Sequence, residues 1–99
     1  DRIDLTLAAE SNPDLCAKLA SQTDCPVVDS WQELVSSGSV DAVYIYSDNR
    51  SGAEAGIAAL NQSLHVMIEK PMAADYASAV KMHEAAIASQ ATLMINWPF

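Results

Sequence analysis

The sequence predicts a doubly wound parallel α/β sheet. Three observations carry that reading. Short, continuously apolar, β-leaning runs recur along the 99 residues. Helix-start signals and amphipathic stretches alternate with them. Polar residues cluster just after the apolar runs, where open α/β sheets bind ligands.

The first run, "IDLTLAA" at Ile3–Ala9, reads as a buried strand. Asn12 then caps a helix, with Pro13 at its first position and Asp14 in its first turn. Leu15, Cys16 and Leu19 share one face of that helix. Pro26–Val28 is a short strand. Ser30-Trp31-Gln32-Glu33 fits a capping box, Trp31, Leu34 and Val35 form an apolar face, and Gly38 closes the helix.

"AVYIY" at Ala42–Tyr46 is a second buried strand. Ser51-Gly52-Ala53-Glu54 is a capping-box match that opens a helix to about Asn61, with Ile57 and Leu60 inward beside a row of alanines. Leu64–Ile68 is the next strand. Asp75 caps the last helix, whose apolar face is Tyr76, Ala79, Val80, His83, Ala86 and Ile87. Thr92–Ile95 is the final strand. The order is β-α-β-α-β-α-β-α-β, and right-handed crossovers make such a sheet doubly wound.

Composition narrows the function. Thirteen acids face five bases, for a net charge of −8. Nucleic acid requires clustered cations to displace counterions, and an anionic membrane repels this chain. No apolar run is long enough for a membrane span, and no signal-peptide pattern is present. Cys16 and Cys25 stand without nearby histidines, so they read as half-buried thiols in a reducing compartment rather than metal ligands or a disulfide. The expected location is cytoplasmic.

Three strand ends hold the candidate chemistry. Glu10 follows the first strand. A carboxylate there accepts hydrogen bonds from two ribose hydroxyls and repels a 2′-phosphate, favouring NAD over NADP; otherwise it is a solvated loop acid. Ser47, Asp48 and Asn49 follow Ala42–Tyr46 and suit a ribose, nicotinamide or phosphate, or ordinary turn and cap chemistry. Glu69-Lys70-Pro71 follow Leu64–Ile68. A lysine in a cleft is suited to acid–base work, tuned by Glu69, with Pro71 in a tight turn that is open to a cis bond; the alternative is a surface ion pair. His65, His83 and Trp97 read as structural.

Together these segments resemble the Gfo/Idh/MocA oxidoreductases. "VDAVYIYSDNRSGAEAGIAALNQSLHVMIEKPMAADYASAVKMHEAA" is similar to that family's central stretch, in which "VDAVxIxTPN" precedes a helix, "HVxxEKPxA" and a long helix. "NPDLCAKLA" resembles its "DPExAxxLA" helix. The similarity runs from Asp4 to about Trp97. It implies a Rossmann-type dinucleotide-binding domain, NAD or NADP as cofactor, and hydride transfer with a sugar or polyol hydroxyl. It implies that Lys70 is catalytic, orienting that hydroxyl, and that Glu10, Ser47, Asn49, Glu69, Lys70 and Asn96 bind the cofactor.

There are departures from the pattern. Ser47-Asp48 replaces Thr-Pro, and Gly52 stands where a histidine is common. The first strand with its G-x-G-x-x-G turn, and the C-terminal substrate domain, are missing. Residues 1–99 are therefore expected to be a partial Rossmann-type domain, a fragment inactive alone. The incomplete sheet would expose edges and favour a homo-oligomer. A non-catalytic nucleotide- or sugar-binding sensor or assembly module on the same fold is the competing expectation.

Overall fold

The computed structural model describes residues 3–98. Among these described residues nine elements follow the expected order: β1 (Ala8–Ala9), α1 (Pro13–Gln22), β2 (Val27–Val28), α2 (Trp31–Val35), β3 (Ala42–Ile45), α3 (Asn49–Asn61), β4 (His65–Glu69), α4 (Tyr76–Ser89) and β5 (Leu93–Asn96). Every ladder is parallel, β1 with β2 and, separately, β3-β4-β5. The chain divides into two compact units, Asp1–Val40 and Asp41–Phe99.

In the first unit the expected Ile3–Ala9 strand shrinks to two residues. Ile3 and Leu5 are exposed, at 96% and 66%. A strand forms only where a neighbour accepts its ladder. Here β2 supplies two residues of partner, in the register Ala8↔Val27 and Ala9↔Val28. Helix α1 starts as read: the Asn12 side chain accepts from the amides of Asp14 and Leu15, and Pro13 occupies the first position. The helix has no buried residue; Cys16 and Leu19 are half-buried and Leu15 is exposed. Ser30 caps α2 by accepting from the Glu33 amide at 3.2 Å. Gly38, at φ +74°, makes the turn beyond that helix. Both thiols are free and half-buried.

The second unit holds most of the core. Helix α3 packs on β3 and β4, with α4 packed against α3, and Val66 and Ile68 of β4 are buried. Leu60 and Met82 are fully buried. Helix α3 approaches closely because its inner stripe is small: Gly52, Ala53, Ala55, Gly56 and Ala59 are all buried. A Cβ on Gly56 would lie 3.3 Å from Met82 Cε and 3.4 Å from its sulfur. The opposite sheet face is exposed at Ala42, Tyr44, Met67 and Met94. Of these strands, expected to be buried throughout, only β4 holds buried residues, Val66 and Ile68, both on one face.

Two local readings are corrected. Helix α3 begins at Asn49, capped by Asp48, whose Oδ1 accepts from the amides of Arg50 at 3.1 Å and Ser51 at 2.9 Å. Asp48 reaches the first orphan amides, which leaves Ser51 inside the helix rather than at its start. Helix α4 is capped by Asp75 as expected, but its buried residues are Met82 and Ala85, not the anticipated stripe. Ser78, Met82, Ala85 and Ser89 follow i, i+4, i+7, i+11 and form the inner face. Short side chains there let Met82 meet Gly56 of α3. Tyr76, His83 and Ile87 are exposed, and His83 and Ile87 line an open groove beside Leu93 and Ile95.

Candidate functional site

The three strands of the second unit run parallel, so their carboxyl ends gather at one edge, where the expected polar residues lie. The register pairs Glu69 with Asn96 and Ile45 with Ile68. Glu69 closes the central strand, β4, and Asn96 closes β5. Ser47 lies two residues beyond the end of β3. Continuing the ladder from Ile45↔Ile68 brings it level with Lys70.

Alternation along β3 and β4 sends Tyr44 and Glu69 to the exposed face of the sheet. Tyr44 Oη donates to Glu69 Oε1. Asn96 Nδ2 donates to the same oxygen. The Tyr44 hydrogen bond, followed by that of Asn96, holds the Glu69 carboxyl below the ordinary glutamate range. The same contact pushes the Tyr44 phenol up, because ionising it would place two anions together. Sequence reasoning missed Tyr44. The available signal was period two: in "AVYIY" Val43 and Ile45 face the helices, so Tyr44 shares a face with Glu69.

Lys70 is exposed, in the bend directly after β4, and its bond to Pro71 is cis. The Glu69 carboxylate is therefore engaged by neighbouring strands rather than reserved for Lys70. Ser47 is exposed and its hydroxyl donates to the Asp48 carbonyl at 3.3 Å. It sits against the start of α3: a Cβ on Gly52 would meet Ser47 Oγ at 3.3 Å and Ile68 Cδ1 at 3.5 Å. Asn49 is the exposed first residue of α3.

Glu10 belongs to the first unit. It follows β1 directly, donating its amide to the Val28 carbonyl at 3.0 Å. Its Oε2 accepts from the Asn12 amide at 3.0 Å, so the carboxylate is turned along its own loop toward the cap of α1.

This donor set fits one end of a dinucleotide and not the other. Glu69, Asn96 and Ser47 offer a carboxylate, a carboxamide and a hydroxyl, which suit ribose hydroxyls and an amide-bearing ring. The start of α3 does not suit a phosphate. Asp48 occupies two of its amides and adds negative charge, and its own carboxyl is held low chiefly by the Ser51 amide. Among the described residues, no group of three His, Cys, Asp or Glu side chains is placed to hold a metal ion. No described helix is long and apolar enough to cross a membrane.

Comparison with known proteins identifies the fold and the family. The family model for oxidoreductases with an NAD-binding Rossmann fold, Gfo/Idh/MocA, matches residues 1–97. A probable dehydrogenase from Thermotoga maritima superposes with TM-score 0.89 at 22% identity, covering 94% of this chain and 28% of that one. The WlbA dehydrogenase from Bordetella pertussis, solved with NADH and UDP-GlcNAcA, gives 0.88 at 20% identity over 94% of this chain and 28% of its own. A 3-ketoreductase from Actinomadura kijaniata, solved with TDP-benzene and NADP, gives 0.83 at 27% identity over 94% and 29%. The chain thus spans less than a third of these proteins. With a family match across residues 1–97, the chain belongs to the Gfo/Idh/MocA oxidoreductase family, in its NAD-binding Rossmann-fold region.

Proposed function

We propose that this chain is part of the dinucleotide-binding domain of an NAD(P)-dependent dehydrogenase that oxidises a CH–OH group of a sugar or polyol. The observation that carries the reading is Glu69-Lys70-Pro71 at the carboxyl end of a central parallel strand, with Asn96 paired beside it. The bound nicotinamide would supply the hydride acceptor. Lys70, exposed at that edge, orients the reacting hydroxyl and handles its proton. Glu69, Asn96 and Ser47 contact the ring and its ribose, and Asn49 lines the same edge. Glu10, in the first unit, is a ribose-binding carboxylate, and its charge disfavours a 2′-phosphate and so favours NAD. The structures solved with NADH and with NADP support either cofactor for the family, and the UDP-GlcNAcA held by the WlbA dehydrogenase supports a sugar-type substrate. On this reading residues 1–99 alone turn over no substrate.

The test is Lys70→Ala in the full-length protein. Turnover falls about 10²- to 10⁴-fold while NADH binding stays within a few-fold. Unchanged turnover refutes a catalytic lysine. The second reading, a non-catalytic nucleotide or sugar sensor, draws on Asp48 at the start of α3. A wild-type protein that binds NADH and turns over no sugar or polyol would favour it.

A further inference from the structure

Glu69 is held from both sides. Asn96 stands directly opposite it on β5. Tyr44 is opposite Met67 on β4, so it reaches Glu69 diagonally, two residues along, a span that suits an aromatic side chain. Both side-chain donors converge on Oε1, leaving Oε2 outside the pair. Two donors from two different strands fix the carboxylate in place. Hydrogen bonds of this kind are also the strong, charge-assisted sort. A sheet brace would need only neutral partners. This arrangement instead keeps a negative charge at the strand ends, half-exposed, beside the open edge.

We propose that Tyr44 and Asn96 are positioning residues that fix Glu69 as an anion, and that this anion makes the site prefer the oxidised nicotinamide ring over the reduced one. The inference rests on the dinucleotide reading given above. Its chemistry is simple. The oxidised ring is a cation and the reduced ring is neutral, while the remainder of the cofactor is the same. A nearby carboxylate therefore attracts one form and not the other. A carboxylate that only accepted a hydrogen bond from the ring's carboxamide would strengthen both forms equally. A brace for the sheet would change stability and leave the preference untouched. The ratio of the two affinities separates these roles. Because Glu69 is half-exposed, solvent screening limits the preference to about 3- to 10-fold, and it declines with added salt.

The experiment is calorimetric titration of NAD⁺ and NADH into the full-length protein at neutral pH, or of the phosphorylated pair if that binds more tightly. Wild type is compared with Glu69→Gln, Tyr44→Phe and Asn96→Ala. In Glu69→Gln the ratio Kd(NADH)/Kd(NAD⁺) falls about 3- to 10-fold. Tyr44→Phe and Asn96→Ala give smaller falls, because the charge remains but is no longer fixed. A ratio in Glu69→Gln equal to that of wild type overturns the proposal. A ratio that changes in Glu69→Gln but stays at the wild-type value in Tyr44→Phe and Asn96→Ala overturns the positioning roles. Absence of binding by either nucleotide in wild type overturns the dinucleotide reading itself, and this proposal with it. A second measurement does not depend on binding: the ¹³C carboxyl signal of Glu69, followed against pH, moves its midpoint up toward the ordinary glutamate range in Tyr44→Phe. An unmoved midpoint shows that Tyr44 does not hold it.

Discussion

The contact between Gly56 and Met82 yields a quantitative prediction. Met82 is fully buried, and a methyl added at Gly56 would sit 3.3 Å from its terminal carbon, 3.4 Å from its sulfur and 3.7 Å from Ile45 Cδ1. Truncating Met82 to Ala removes buried atoms and leaves a cavity, at about 2–5 kcal/mol. Gly56→Ala has two opposed effects. Alanine in the middle of α3 gains about 1 kcal/mol of helix propensity. The close approach to Met82 costs about 1–3 kcal/mol in overpacking. The single substitution is thus expected to be neutral to destabilising, by about 0–2 kcal/mol. In the Met82→Ala background the two nearest atoms are gone, and the same substitution should stabilise by about 1 kcal/mol. The coupling energy is the difference, about 1–3 kcal/mol. Urea unfolding of the chain, followed by circular dichroism across the four variants, measures it. Additivity within about 0.5 kcal/mol would refute the close packing of α3 on α4.

Other outcomes follow from the same structure. Glu69, Asp48 and Asp75 all titrate below their ordinary values, through donors that exist only in the folded chain: Tyr44 and Asn96, the Ser51 amide, and the Ser78 amide, respectively. A depressed folded carboxyl stabilises fully above its unfolded value, and that stabilisation is lost as pH falls through the folded one. The urea midpoint should therefore drop as pH is lowered through and below the carboxylate range, with a shallower slope in Asp75→Asn. Asp75→Ala removes the cap of α4, whose Oδ1 lies 2.7 Å from the Ser78 amide, and should cost about 0.5–2 kcal/mol in the same assay. The exposed sheet face of Tyr44, Met67 and Met94 is expected to drive self-association. Light scattering should show a concentration-dependent mass that Met67→Lys lowers, and a strict monomer at high concentration would refute it.

Much of the architecture was legible in the sequence because its signals are local. Asn12, Ser30 and Asp75 each bond the amides two or three residues ahead, so their identity and position suffice. The order of strands and helices was legible for the same reason. What escaped is decided by partners distant in the chain. Ile3–Leu7 has strand composition but no ladder there. The inner face of α4 meets Gly56 of α3, which carries no hydrophobic signal of its own; it falls on Met82 and Ala85 rather than on Tyr76 and Ile87. At the site, strand-end positions identified Ser47, Glu69, Lys70 and Asn96 as one edge. The bond from Tyr44 to Glu69 spans 25 residues and depends on register, which no local pattern specifies.

The unequal cores of the two units have a consequence for ligand response. In the first forty residues Val35 is the only buried apolar side chain among those described, and α1 buries none. Such a segment opens at low free energy, and its amides should exchange with solvent well before those around Leu60 and Met82. A nucleotide that engaged Glu10 would bind only the closed form. Its binding energy would then appear as added protection of α1 and β1, by about 2.7 kcal/mol at a hundredfold excess over Kd. Hydrogen exchange of the amino-terminal unit would thus report cofactor occupancy before any turnover is measured.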